Sequence, residues 1–436
     1  MHVRCARHAR SCTGVPVKQT LPAIREPIPG PNSRALTERL RMAECPEVTD
    51  LRDPPPFWER GLGSNVFDAD GNRYVDLVSS FGAACLGHAH PELAEVSAEQ
   101  SGTLLHGMGD VFPTQRKLEL LEALQARLPG DLGQVILSSS GSDAVESALK
   151  TAMCATGRGA FIAFEGAYHG LGFGALSVTH RRHFREPFQA RLAGATHFVP
   201  YGDSSALEGL LAAGDIAAIV VEPIQGRGGL RTPPSGFLNA LREAADAHGS
   251  LLIFDEVFTG WGRSGRWLCC ERYGVLPDLV AIGKALGGGY PISACAGRHE
   301  VMQAWGESQG EAIHTSTHLG NPLGCALALK VIEIIERDGL LARNWELGRE
   351  SLERLRSGLA GVAGVRDVRG CGLMLGVELS SAQHAYDATR RALERGWIWL
   401  PSGEHGNVIY LCPAYNIESE LLQAGIEMLI DLVAAP

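Results

Sequence analysis

The chain is predicted to fold as an α/β protein, with a large domain built on a mostly parallel sheet covered by helices on both faces and a second, smaller α+β domain. Two observations carry this. Apolar strand-like runs alternate with helix-period segments: QVILSSS then AVESALKTAM, GAFIAFEG, IAAIVVEPI then FLNALREAADAHG, LLIFDEV and LVAIG. That alternation is the signature of parallel strands joined by crossover helices. A length of 436 residues with 45% hydrophobic content also suffices for two domains and a large buried core.

Taken in order, residues 1–55 read as an N-terminal extension and arm. The stretch is Pro-rich through Pro56, with segments such as REPIPGPNS, and reads as extended arm and loop. Its start, MHVRCARHAR, is basic but lacks the apolar core of a secretory signal. It reads as a disordered extension or an early start site, with a transit peptide as the alternative. Residues 56–85 are assigned to the small domain, because NVFDADGNRYVDL gives two short alternating runs around Asp70-Gly71, a hairpin signal. Residues 86–322 form the large domain. After Asn321-Pro322, a long helical stretch, LGCALALKVIEIIERDG, leads into amphipathic helices and the short strands GLMLGVEL and NVIYLCP. Residues 323–436 thus complete the small domain.

The formal charge of −10 argues against nucleic acid or an anionic membrane surface as a partner. No apolar run approaches the roughly 20 residues that span a bilayer. Eleven cysteines are scattered without a C-x-x-C pair, so reduced thiols in the cytoplasm are expected rather than a disulfide or zinc framework.

The run LLIFDEV reads as a buried strand delivering Asp255 and Glu256 at its carboxyl end, where open α/β sheets place their ligands. Lys284 lies in AIGKALGGGYP among glycines and apolar residues, so its amine is expected to be desolvated, with a lowered pKa and nucleophilic character. Either signal alone reads more readily as an ordinary loop start or a solvated cation. Together they supply what pyridoxal phosphate needs: an acid to keep the pyridine nitrogen protonated and an amine to carry the aldehyde as a Schiff base. Ser140-Gly141-Ser142 closes a strand and opens a helix, offering N–H groups and hydroxyls to a phosphate or acting as a plain N-cap. Tyr168-His169-Gly170 lies at another strand end, where the tyrosine can lie against a flat ring or sit in a turn. Val257 shares the side of Asp255 on an extended chain and can press the opposite ring face or belong to the core. Thr317, in a polar loop before a helix, can donate its hydroxyl to phosphate.

The segments LGHAHPE, SGSDAVESALK, YHG, VEPIQGRGG, DEVFTGWGRSG, IGKALGGGYPIS and STHLGNPLGCA, in this order, resemble the class III aminotransferases of the fold-type-I pyridoxal phosphate enzymes over about residues 60 to 430. The resemblance implies a seven-stranded-type sheet in the large domain and a pyridoxal 5′-phosphate cofactor. Lys284 resembles the Schiff-base lysine and Asp255 the partner of the pyridine nitrogen. Ser140, Gly141 and Ser142 resemble the phosphate cup, and Tyr168 and Val257 the ring-stacking residues. His169 and Glu222 fall in the matching segments and are counted with the cofactor site. Thr317 resembles a threonine that reaches the neighbouring subunit's phosphate, which implies a homodimer. The implied reaction moves an amino group from a primary amine or ω-amino acid to a carbonyl acceptor, Lys284 carrying the proton.

The chain also departs from the family. Members that use glutamate commonly pair an arginine in the C-terminal strand with a glutamate after EPIQG; here those positions hold Tyr410 and Arg227. Arg227 can clamp a substrate carboxylate bidentately or be a solvated loop residue. Leu171 and Phe81 stand where ornithine-type members carry an arginine and a tyrosine, which argues against ornithine or 4-aminobutyrate. Phe258 replaces a glutamine that many relatives offer to the cofactor ring. The alternative reading is a class III racemase, aminomutase or decarboxylase using the same site, since these need no acceptor-carboxylate arginine.

Overall fold

The computed structural model describes residues 19–192, 194 and 196–435. The basic start MHVRCARHAR lies outside the described residues. Three strands open the chain, β1 (Trp58–Leu62), β2 (Asn65–Asp68) and β3 (Arg73–Asp76). Seven follow in the middle: β4 (Gln134–Ser138), β5 (Ala160–Phe164), β6 (Thr196–Val199), β7 (Ile216–Val221), β8 (Leu251–Asp255), β9 (Leu279–Ile282) and β10 (Ser293–Gly297). Five close it: β11 (Val365–Gly370), β12 (Leu375–Leu379), β13 (Trp397–Ile398), β14 (Leu400–Ser402) and β15 (Val408–Leu411).

The middle strands form one seven-stranded sheet in the order β4-β10-β9-β8-β7-β5-β6. All neighbours are parallel except β10, which runs antiparallel to both β4 and β9. β7 (IAAIVV) is buried at every position, as a strand covered by helices on both faces must be. The helix Gly141–Thr156 lies on this sheet with Ala144, Val145, Ala148, Leu149 and Ala152 buried. It starts at the Ser140 N-cap, whose hydroxyl accepts from Asp143 N at 3.2 Å, and stops at left-handed Gly157. The helix Pro322–Arg337 begins the same way, with Asn321 Oδ1 accepting from Gly324 N at 2.8 Å.

Two four-stranded sheets complete the molecule, β1-β2-β3-β13 and β11-β12-β15-β14. The first is the hairpin about Asp70-Gly71 extended by a strand from the far end of the chain, with Trp397 opposite Val75. The second places Tyr410 of β15 opposite Leu400 of β14.

The reading of the Pro-rich opening as extended arm and loop is corrected within the described residues: Pro31–Ala43 is a helix of 13 residues. Pro31 takes a first-turn position, where its missing N–H is no loss. The missing cap comes from the hairpin: Asp70 accepts from Asn32 N at 2.7 Å, Ser33 N at 2.9 Å and Ser33 Oγ at 2.6 Å. Proline density marked a loop where a tertiary contact makes a helix start.

Candidate active site

Five strands of the large sheet end on one cavity. Past β4 come Gly141 and Ser142, past β5 Tyr168 to Gly172, past β7 Glu222 and Arg227, at the end of β8 Asp255 with Val257 and Phe258, and past β9 Lys284; all line a cleft of about 350 Å³. The carboxyl ends of parallel strands are where such sheets hold ligands. Strand alternation decides which acid faces it. Asp255 lines the cleft, whereas Glu256, expected beside it, turns away and accepts from Cys269 N at 2.6 Å, Cys270 N at 2.8 Å and Thr259 Oγ1 at 2.8 Å. Burial pushes the Glu256 carboxyl up to about 7.

Asp255 is held on both oxygens. Oδ1 accepts from Val257 N at 3.0 Å, and Oδ2 is 2.7 Å from Nδ1 of the buried His169. Burial works against charging His169, but the bond and charge of Asp255 win, and its pKa is raised. Glu222 sits behind, accepting from Tyr168 N at 3.0 Å and Gly226 N at 2.9 Å, and burial pushes its carboxyl up to about 7. Its bonds fix the two loops that carry Tyr168 and Arg227.

Lys284 opens the turn after β9 with φ of 40°, a left-handed conformation unusual for a side-chain-bearing residue. Its Nζ lies 4.4 Å from the centre of the Phe258 ring. Burial lowers its pKa, against the pull of Asp255 and Glu222. The other described lysines are engaged elsewhere: Lys117 with the Gly109 carbonyl, Lys150 with Glu146 and Lys330 with Glu333.

The helix Gly141–Thr156 presents its N-terminus to the same cleft. The first-turn N–H groups of a helix have no intrahelical acceptor and, with the dipole, favour an anion. Glycine is required at 141, since a Cβ there would lie 2.7 Å from Val257 Cγ1. Ser142 Oγ accepts from Gly172 N at 3.0 Å, tying the cradle to the loop that bears Leu171. Ser140 caps the helix and does not line the cleft.

A second lobe of about 300 Å³ shares Tyr168, Arg227, Phe258 and Lys284 with the first and adds Phe81, Arg181, Gly226, Leu400, Pro401, Ser402 and Tyr410. Phe81 sits on three consecutive left-handed residues, Ser79, Ser80 and Phe81, with φ of 40°, 52° and 60°. Such backbone costs about 1–3 kcal/mol per residue and persists only when its surroundings hold it. Asp76 accepts from Val78 N and Ser80 N, Ser79 Oγ donates to the Cys412 carbonyl at 2.6 Å, and the buried Arg263 donates to Ser79 Oγ at 3.2 Å. Tyr410 meets Phe258 edge-on at 6.4 Å, and the Arg227 guanidinium lies over the Tyr168 ring at 4.5 Å.

The structure thus gathers Gly141, Ser142, Tyr168, His169, Leu171, Glu222, Arg227, Asp255, Val257 and Lys284 around one cleft, with Phe81 and Tyr410 in its second lobe. Thr317 is not among them; it is exposed in a loop whose His318 ring lies 4.9 Å from that of His106. Sequence reasoning missed Arg181, because nothing in THRRHFR distinguishes it from the neighbouring arginines.

The donor set fits pyridoxal phosphate: a desolvated amine, a carboxylate fixed on both oxygens, an anion cradle that a Cβ at 141 would disturb, and the buried His169 Nε2 without a hydrogen-bond partner. Fold and site together define a pyridoxal-phosphate enzyme of fold type I. The Aminotransferase class-III family matches residues 50–433, and the chain belongs to that family and uses its cofactor. It is 42% identical to the acetylornithine aminotransferase of Methanosarcina mazei, over 74% of this chain and 79% of that one. It is 36% identical to the 5-aminovalerate aminotransferase DavT of Pseudomonas aeruginosa, over 86% and 93% respectively. The ornithine aminotransferase structure from Toxoplasma gondii, with partial occupancy of PLP at its active site, superposes with a TM-score of 0.84 at 29% identity over 92% of this chain and 94% of that one.

Proposed function

We propose that this aminotransferase takes its amino group from a terminal, ω-positioned primary amine and passes it to a small carbonyl acceptor. The observation that supports this best is the shared wall of the two lobes. Lys284 and Phe258 face both the cleft that holds Asp255 and the lobe that holds Phe81, Leu400 and Tyr410, so a chain lying in the second lobe can present its amine end to the lysine. Relatives named for acetylornithine and 5-aminovalerate support the same class of donor.

Bound in the cleft, pyridoxal phosphate supplies an aldehyde and an electron-withdrawing ring. Gly141 and Ser142 would hold its phosphate, Tyr168 and Val257 its two faces, and Asp255 its ring nitrogen. His169 Nδ1, 2.7 Å from Asp255 Oδ2, keeps Asp255 oriented. Lys284 Nζ, with its pKa lowered by burial, accepts and returns the proton of the substrate carbon bearing the amine. Phe258 shields that amine from water.

The active form proposed is a homodimer in which Thr317 completes the neighbouring site. The loop of Thr317 meets the 104–112 segment where Thr315 Oγ1 donates to Asp110 Oδ2 at 3.1 Å, and that segment exposes Leu104, Leu105, Met108, Val111 and Phe112, a surface of the kind a second copy buries. A cytoplasmic setting is supported by the free thiols of all nine described cysteines. No described helix is long and apolar enough to cross a membrane.

The test is a panel of donors offered to the holoenzyme with the acceptor varied. Terminal amines converting the cofactor to its amine form is the expected result. An enzyme that converts none, yet exchanges the α-proton of an amino acid and scrambles its chirality, is instead the racemase-type alternative.

A further inference from the structure

We propose that Arg181 and Arg227 together anchor a substrate carboxylate remote from the reacting amine, so that the second lobe selects straight-chain ω-amino acids over plain alkylamines. This rests on the amino-transfer reading above and adds a substrate class to it.

Both arginines line the lobe that Lys284 also lines. Arg181 is fixed by one nitrogen, Nη2, which donates to the Arg227 carbonyl at 2.6 Å and the Gly403 carbonyl at 2.5 Å. Its buried Nε has no partner. Arg227 is fixed by its face, stacked over Tyr168 at 4.5 Å and near Phe184 at 5.7 Å, which leaves the edge of the guanidinium for a ligand. Whereas Arg182 pairs with Glu186, neither Arg181 nor Arg227 makes an ion pair among the described residues. Two guanidinium groups facing one lobe repel: burial and then the charge of Arg227 lower the Arg181 pKa. A carboxylate between them supplies the missing charge and acceptors.

The anion bound there is not the cofactor's phosphate. That group is provided for at Gly141 and Ser142, which line the first lobe and not the second. Besides the arginines and Lys284, the lobe is lined by Phe81, Phe258, Leu400 and Pro401, a surface suited to methylene groups. An amine at one end, an apolar chain and a carboxylate at the other describe an ω-amino acid. Arg181 gives Arg227 a partner of the same sign on the lining of one lobe, an arrangement that favours an anion and disfavours a second cation.

The experiment uses cofactor-loaded wild type, Arg181→Ala, Arg181→Lys and Arg227→Ala. For each, kcat/KM is measured with 5-aminopentanoate and with pentylamine, and the equilibrium binding of pentanoate, which cannot react, by calorimetry. Wild type is expected to prefer the amino acid by about a hundredfold, and either alanine variant to lose at least tenfold of that preference, with pentanoate affinity falling in step. Arg181→Lys retains the charge without the fork and is expected between them. Equal losses for both donors with unchanged pentanoate binding would make Arg181 a loop pin and overturn the anchor. If Arg181→Ala does not load cofactor, Arg181→Lys and Arg227→Ala decide on the same ratio. Turnover of neither donor by wild type overturns the terminal-amine donor reading, while pentanoate binding still decides the anchor.

Discussion

Nδ1 of His169 and Oδ2 of Asp255 stand 2.7 Å apart, the imidazole wholly buried. The same carboxylate takes the Val257 N–H on its other oxygen, so Asp255 is oriented from two elements before any ligand arrives. A carboxylate held this way presents a fixed acceptor to the proton of a bound ring nitrogen.

His169 should therefore make stability depend on pH with a defined sign. Its folded pKa is raised above the ordinary value of 6.5, so the stability it contributes is fully present below about pH 6.5 and is lost as pH rises through the folded pKa. Comparing the melting of cofactor-free wild type with His169→Gln should show a gap that narrows from pH 6 to pH 9. A gap that widens would mean that the imidazole is buried neutral.

Gly141 and Val257 should behave as a coupled pair. Gly141→Ala brings its Cβ to 2.7 Å from Val257 Cγ1, an overpacking expected to cost about 1–3 kcal/mol and to weaken cofactor binding at the displaced helix start. Val257→Ala removes the obstructing methyl groups. In a double-mutant cycle the pair should be less damaging than the sum of the singles by more than about 0.5 kcal/mol. Additive losses would show that the two do not meet.

The Phe258 ring beside Lys284 should hold part of the amine's charge. A cation over an aromatic face is worth about 0.5–2 kcal/mol, so Phe258→Leu, which keeps the site apolar, should move the Lys284 pKa further below its ordinary value. NMR of the reductively methylated, cofactor-free enzyme reads this directly. A rise would show that burial by the ring outweighs its attraction.

Asp70 should be worth a helix cap at long range. Replacing it by alanine removes the acceptor for Asn32 N, Ser33 N and Ser33 Oγ, at an expected cost of about 0.5–2 kcal/mol. Although burial opposes it, the bonds from Ser33 and Asn32 leave the Asp70 pKa lowered from 3.8. Its contribution is therefore present above about pH 3.8 and lost as pH falls through the folded value. Denaturant titrations at pH 7 and pH 3 should show a smaller wild-type advantage at pH 3, and an equal advantage at both would show that the bonds do not depend on the charged carboxylate.

The large sheet was legible because its strands are local: β7 and β8 are apolar runs bounded by turns, and the groups at their ends follow from where the runs stop. The direction of β10 was not, since SACAG carries no signal of its antiparallel pairing with β4 and β9. Pro31–Ala43 escaped because its cap lies 37 or more residues away in sequence. The same division runs through the site. Asp255, Lys284 and Gly141 lie on the strand ends that name them, whereas Arg181 becomes a lining residue only through carbonyls at 227 and 403, a contact of 222 residues' separation.

The central claim is that Lys284, desolvated and facing the cleft of Asp255, holds the cofactor. The chain has five lysines, Lys18, Lys117, Lys150, Lys284 and Lys330, so borohydride reduction of the holoenzyme followed by peptide mapping assigns the bond without ambiguity. A single pyridoxyl group on the peptide bearing Lys284, absent in Lys284→Ala, is the predicted result. A label on any of the other four, or one that survives in that variant, would contradict the account.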